Sequence, residues 1–97
     1  METLNELRQK IDGIDAQLVE LFERRMAVTR EVGLYKLANH IPVLDSGREE
    51  QVLESKTALI HDQELAGDVT ELFETIMAIS RRQQQAILSQ HGETEAR

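Results

Sequence analysis

Arg25 interrupts a stripe of apolar residues that has the spacing of one face of a helix. A guanidinium on a core-facing stripe costs several kcal/mol unless an anion pairs with it. If no acidic side chain supplies that anion, a bound ligand must, so Arg25 suggests an anion-binding site. The alternative is an arginine whose stem lies on the core while its head reaches solvent or a glutamate. The stripe consists of Leu4, Leu7, Ile11, Ile14, Leu18 and Leu21 before Arg25, and of Val28, Val32 and Tyr35 after it.

Polar side chains interrupt the apolar faces at other places as well. Lys36 follows Arg25 by eleven residues, which places both cations on one side of a helix about 16 Å apart. Ser80 and Gln84 are four residues apart and share a face that is otherwise apolar. Each has an ordinary explanation, Lys36 as a solvated helix end and the other two as partners of each other. Their occurrence on separate elements favours a common polar site.

Arg8 is a further candidate, although it lies far from Arg25 along the same predicted helix. Seventeen residues place the two side chains about 25 Å apart and on faces that differ by about 100°. Two antiparallel copies of this helix would bring Arg8 of one copy beside Arg25 of the other. We therefore expect an intertwined helical homodimer with two equivalent sites, each completed by the partner. Otherwise Arg8 is an ordinary surface charge near the N-terminus.

The apolar spacing predicts an all-α chain of three helices, with neither β alternation nor an internal repeat. They cover about residues 5–38, 46–60 and 68–90. Pro42 ends the first helix because proline disfavours helical geometry at the residue before it. Asp45 or Ser46 is the N-cap of the second helix. Residues 1–90 are expected to form one domain, followed by a frayed polar tail at 91–97.

The second and third helices should each bury one face. On the second helix, Glu49 lies on the inward face and Arg48 stands beside it, unless both are surface charges. The apolar residues expected on the inward faces are Val52, Leu53, Leu59 and Ile60, then Val69, Leu72, Phe73, Ile76, Ile79, Ile87 and Leu88.

Composition excludes several classes of function. The net charge of −7 opposes general nucleic-acid binding, which relies on basic surface. Cysteine is absent, so there is no thiolate nucleophile and no cysteine-ligated metal. No stretch approaches the ~20 apolar residues of a membrane span, and the N-terminus has no basic start followed by an apolar run. We expect a cytoplasmic protein without metal, membrane or nucleic-acid partner, whose small core favours association with a second copy.

The sequence resembles the all-helical chorismate mutases of aromatic amino-acid biosynthesis over about residues 4–88. Each matching stretch is a weak signal alone, whereas their order and spacing together are specific. The stretches also contain the residues that interrupt the apolar faces. They are LRQKIDGID at 7–15, ERRM at 23–26, EVGLYK at 31–36, PVLDSGRE at 42–49 and SRRQQ at 80–84.

The resemblance implies a Claisen rearrangement of chorismate to prephenate, which requires no nucleophile, metal or cofactor. By the same resemblance, Arg25 and the partner's Arg8 hold the two substrate carboxylates, and Lys36 and Gln84 donate to the ether oxygen. The remaining contacts are also implied by the resemblance. Glu49 and the backbone near Asp45 hold the ring hydroxyl, while Arg48 and Ser80 complete the carboxylate and ring contacts.

Departures from the family pattern and two other readings stay open. Arg81 and Arg82 stand where several relatives carry apolar residues, and Gln84 stands where some carry a carboxylic acid. One alternative is a lyase of the same fold that releases pyruvate from isochorismate, although the related lyases lack an acid matching Glu49. The other alternative is a non-catalytic helical dimerisation or regulatory module, in which Arg25 and Lys36 would be exposed or internally paired.

Overall fold

Three α-helices make up most of the structure, a computed structural model that describes the backbone of residues 1–95 and the side chains of residues 1–91. In chain order they are α1 (Leu4–Ala38), α2 (Ser46–Thr57) and α3 (Ala66–Glu95), with a short 3₁₀ helix at Gln63–Leu65. No strand occurs within residues 1–95. The all-α prediction with three helices is therefore confirmed.

Local sequence explains both ends of α1. The Thr3 hydroxyl accepts a hydrogen bond from the backbone N–H of Glu6 at 3.1 Å, which caps the first turn. At the other end, His40 adopts a left-handed conformation with φ 55°. The backbone N–H of Ile41 then donates to the carbonyl of Lys36 at 2.8 Å, as in a Schellman motif. The chain thus turns sharply just before Pro42.

The second helix begins where the sequence predicts it. Asp45 is its N-cap, and its Oδ1 accepts a hydrogen bond from the backbone N–H of Arg48 at 3.0 Å. The helix ends at Thr57 rather than at Ile60. Leu59 consequently lies in the following turn and is 70% exposed, so its predicted inward position is wrong.

The third helix packs against both of the others, and the small core lies along it. The buried apolar residues among those described are Val43, Val52, Met77 and Ile87. α3 continues to Glu95 rather than ending near Gln90, so the predicted tail at 91–97 begins as helix and its last two residues lie outside the described backbone. Leu72, predicted to be buried, is 52% exposed.

The N-terminal part of α1 is exposed to solvent along its length. All residues from 1 to 24 are exposed, and burial on this helix begins at Arg25. The apolar stripe ahead of Arg25 therefore faces away from this chain's own core, although its spacing predicted a core face. None of the helices in the described part of the chain combines the length and apolarity that crossing a membrane requires.

Candidate functional site

A cleft of about 310 Å³ lies between the C-terminal half of α1, the start of α2 and the middle of α3. This volume is at the lower end of the range for small-molecule sites. Its apolar walls are Val28, Val32, Val43, Val52 and Met77. Its polar walls are Arg25, Thr29, Lys36, Asp45, Arg48, Glu49, Ser80, Arg81 and Gln84.

The structure brings together every predicted site residue except Arg8. The cations Arg25 and Lys36 line the same cleft, as their spacing on one helix predicted. Arg8 lies on the exposed part of α1, about 25 Å along the helix from Arg25. A single chain therefore does not place Arg8 at the cleft.

Arg25 is half-buried, and a neutral side chain is its hydrogen-bond partner. Its Nη1 donates to the Oγ of Ser80 at 3.1 Å. Burial lowers the pKa of Arg25, and the positive charge of Arg48 lowers this pKa further. Both effects disfavour the charged guanidinium, yet arginine stays protonated in proteins. The negative charge of a bound anion near the two arginines would offset both effects.

Lys36 is likewise held by a neutral group. Its Nζ donates to the backbone carbonyl of Val43 at 2.9 Å, across the loop between α1 and α2. An ammonium has three N–H donors, so two remain for a ligand. Among the residues with described side chains, neither Lys36 nor Arg25 forms an ion pair with a carboxylate. The site therefore holds positive charge that the chain itself does not neutralise.

Gln84 is buried on α3 and is oriented by the backbone of α1. Its Nε2 donates to the carbonyl of Thr29 at 3.2 Å, which fixes which end of the amide carries the hydrogens. The amide nitrogen keeps a second N–H for a ligand. The neighbouring Gln83 reinforces the helix contact, because it accepts from the Thr29 hydroxyl at 2.9 Å and donates to the Met26 carbonyl at 2.9 Å.

Gly33 permits this close approach of α1 and α3. A Cβ atom at this position would lie 2.9 Å from the Cγ of Gln84 and 3.2 Å from the Cδ1 of Ile87. Both distances are shorter than ordinary carbon–carbon contacts. The absence of a side chain at Gly33 therefore sets the position of the Gln84 side chain.

The far wall of the cleft contains an ion pair that joins α2 to α3. Arg81 donates from Nη1 to the Oε1 of Glu49, and both side chains are partly buried. Arg48 is exposed at the rim and donates to Gln51 at 2.7 Å, so it does not pair with Glu49. The neighbouring Arg82 is exposed and does not line the cleft.

The charges of the cleft favour an anionic ligand. Four cationic and two anionic side chains line it, a net charge of +2 in a chain of net charge −7. The guanidinium of Arg25 suits a planar carboxylate, while Lys36 and Gln84 supply separate donors. Such an arrangement can hold a small dianion in one conformation and stabilise negative charge that develops on it.

Two polar residues of the site were not predicted from the sequence. Thr29 follows Arg25 by four residues, and this spacing on one helix face was the signal for it. Arg81 adjoins Ser80, but its sequence position alone does not show whether it points into the cleft. That direction depends on how α2 lies against α3.

Fold and site together define an all-helical protein with a cationic cleft, whose charge would suit a small organic anion. The sequence model of the family described as chorismate mutase type II matches residues 7–85. The bifunctional chorismate mutase/prephenate dehydratase of Escherichia coli (strain K12) is 41% identical over 86 residues, which are 88% of this chain and 22% of that protein. The T-protein of Haemophilus influenzae is 30% identical over 92 residues, 95% of this chain and 24% of that protein.

The chain belongs to the chorismate mutase type II family. It spans less than a quarter of the length of either of these curated relatives. A 3-dehydroquinate dehydratase of Pyrobaculum aerophilum is also similar, with 31% identity over 75 residues, 77% of this chain and 22% of that protein. The family resemblance that the sequence motifs indicated is thus confirmed.

Proposed function

We propose that the protein is a chorismate mutase, which converts chorismate to prephenate by an intramolecular Claisen rearrangement in phenylalanine and tyrosine biosynthesis. The observation that carries the proposal is the cleft itself. Arg25 and Lys36 have no carboxylate partner among the described side chains, and they share this cleft with the buried donor Gln84. Chorismate is a dianion with an ether oxygen between its carboxylate-bearing parts. An enzyme of this pathway would act in the cytoplasm, the location that we propose.

The proposed catalysis uses conformer selection and electrostatics without a covalent intermediate. Arg25 binds one substrate carboxylate through its guanidinium, with Ser80 holding that guanidinium in place. Lys36 and Gln84 donate their remaining N–H groups to the ether oxygen, where negative charge develops as the C–O bond breaks. These donors are already oriented by Val43 and Thr29, so they need little reorganisation during the reaction.

The opposite end of the substrate would contact α2 and its N-cap. Glu49 accepts a hydrogen bond from the ring hydroxyl, together with the backbone near Asp45. Arg48 at the rim completes the carboxylate contacts. Arg48 is exposed and donates to Gln51, so contact with the substrate carboxylate requires its side chain to leave Gln51 and turn inward.

Incubation of the purified protein with chorismate tests this function. We expect the absorbance of chorismate to fall with enzyme-dependent kinetics while prephenate accumulates. Consumption no faster than in buffer alone would leave the non-catalytic helical module as the better description. Pyruvate released from isochorismate, without turnover of chorismate, would instead indicate the lyase.

We further propose that the active enzyme is a homodimer with shared sites. The stripe on α1 ahead of Arg25 exposes its apolar side chains by between 44% and 62%, a surface that monomers rarely leave open. Beside it, an apolar groove of about 570 Å³ runs between α1 and α3. Antiparallel α1 helices would cover both surfaces and place the partner's Arg8 at the cleft.

Mixing two inactive variants tests the shared site. Arg8→Ala and Arg25→Ala should each be nearly inactive alone, because each removes one carboxylate contact from both sites. After unfolding and refolding an equal mixture, half of the dimers should carry both variants, and each of these has one intact site. We therefore expect about a quarter of the wild-type activity to return.

Each variant refolded by itself is the control for this experiment, and Arg30→Ala controls for loss of an exposed arginine from α1. Arg30→Ala should keep wild-type activity. If the mixture stays as inactive as the separate variants although mixed dimers form, Arg8 does not complete the partner's site.

Gly33→Ala should reduce activity more than it reduces stability. The added methyl group meets the Cγ of Gln84 at 2.9 Å and displaces this donor, while the better helix propensity of alanine offsets about 1 kcal/mol of the strain. We expect kcat to fall about tenfold or more, in line with the loss of one oriented donor. Steady-state kinetics and thermal unfolding measure the two effects.

Gly67→Ala is the matched control, because a Cβ atom at Gly67 on α3 would have nothing within 4 Å. Its kcat should equal that of the wild type. Unchanged kcat in Gly33→Ala would show that the position of Gln84 is not set by this close contact.

A further inference from the structure

The ion pair between Arg81 and Glu49 differs from the other polar contacts of the cleft. Arg25 and Lys36 donate to neutral oxygens, whereas Arg81 donates to a carboxylate on another helix. The side chains of Arg81 and Glu49 are 35% and 25% exposed, so the pair lies in the wall rather than in open solvent. Arg81 therefore partly neutralises the Glu49 carboxylate and affects its orientation.

The contact leaves part of the carboxylate available. Arg81 bonds to Oε1 of Glu49, and an ionised carboxylate can accept several hydrogen bonds. Glu49 has three rotatable side-chain bonds, and it lies in the first turn of α2, where it lines the cleft. A guanidinium fixed on α3 restricts that freedom and holds the second oxygen in one place.

We propose that Arg81 is a positioning residue that orients Glu49 toward the ring hydroxyl of the substrate and so sets the selectivity for hydroxylated ring dicarboxylates. This inference rests on the proposed function, because it takes the hydroxyl to be the partner of Glu49. Arg81 acts through Glu49 and does not contact the reacting atoms. The hydroxyl keeps its bond to the ring throughout the rearrangement, so its hydrogen bond contributes about equally to the ground state and the transition state.

Because this hydrogen bond contributes about equally to the ground state and the transition state, its loss should change KM rather than kcat. Arg81→Met keeps the length of the apolar stem and removes the donor. We expect KM for chorismate to rise about five- to tenfold while kcat changes by less than about twofold, the pattern of lost uniform binding. Arg81→Lys, which keeps the cation, should recover part of the change. The matched control is Arg82→Met on the adjacent exposed residue, which should match the wild type in both constants.

The binding of two inhibitors distinguishes the orientation of Glu49 by Arg81 from a merely structural role of Arg81. The two compounds are cyclic dicarboxylates that differ only by the ring hydroxyl, and calorimetry measures their binding without any turnover. In the wild type the hydroxylated compound should bind about tenfold more tightly than the other. In Arg81→Met this ratio should fall close to one, whereas a general disturbance of the cleft would weaken both compounds equally and leave the ratio unchanged.

Combination with Glu49→Gln tests whether Arg81 acts through Glu49. If it does, adding Arg81→Met to Glu49→Gln should change KM and the inhibitor ratio little further. Multiplicative effects of the two substitutions, or an unchanged ratio in a folded Arg81→Met, would overturn the inference while leaving the mutase intact. Failure of the wild type to convert chorismate would overturn the proposed function instead, and the inhibitor ratio would still report on Arg81.

Discussion

Lys36→Met should lower kcat by about 10²–10³-fold, since removal of one donor aimed at developing negative charge typically costs this much. Methionine keeps a long apolar stem but has no ammonium to donate to the ether oxygen. Lys36 also bonds to the Val43 carbonyl, so a modest loss of stability, about 0.5–1.5 kcal/mol, should accompany the kinetic effect. Steady-state kinetics with chorismate and chemical unfolding separate the two.

Lys56→Met provides the control, because Lys56 lies in the last turn of α2 and does not line the cleft. It should retain wild-type kcat. A Lys36→Met enzyme that is folded and retains more than about a tenth of wild-type kcat would show that another group stabilises the ether oxygen.

The helices could be predicted because their signals are local. Apolar residues at intervals of three and four mark each helix, Pro42 ends the first, and the Asp45 side chain caps the second. The same signals were misleading where burial depends on another element. The α1 stripe has core spacing, but its residues ahead of Arg25 remain exposed in the described part of the chain.

The sequence predicts those features of the site that depend on the geometry of a single helix. Arg25 and Lys36 share a face because eleven residues make close to three turns, whatever the rest of the chain does. The pairing of Arg81 with Glu49 required the relative placement of α2 and α3, which no spacing within one helix contains. The contribution of Arg8 requires a second chain, and it stays a prediction for that reason.

The amide group of Gln84 determines how many hydrogen bonds this residue can donate in the proposed reaction. An amide nitrogen has two hydrogens, so Gln84 can donate to the Thr29 carbonyl and to the substrate simultaneously. A carboxylic acid has one proton, so it could donate to only one of these two acceptors at a time. The amide also donates at any pH, so we expect the activity contributed by this donor to stay constant from about pH 6 to 8.

Gln84→Glu should make activity strongly dependent on pH. At acidic pH the protonated carboxyl group can still donate to the ether oxygen, so part of the activity should remain. As the pH rises, ionisation removes that proton and places a negative charge beside both the Thr29 carbonyl and the developing charge on the substrate. Activity must therefore fall toward alkaline pH, by about 10²–10³-fold relative to the wild type.

Measurement of kcat across this pH range for Gln84→Glu and Gln85→Glu separates a site effect from a general charge effect. Gln85 is exposed and outside the cleft, so its substitution adds the same charge to α3 without removing a donor. Only Gln84→Glu should acquire the alkaline loss. If its profile stays as flat as that of Gln85→Glu, the ether oxygen receives no hydrogen bond from position 84. The transition-state charge would then depend on Lys36, whose ammonium has two N–H groups beyond the one given to Val43.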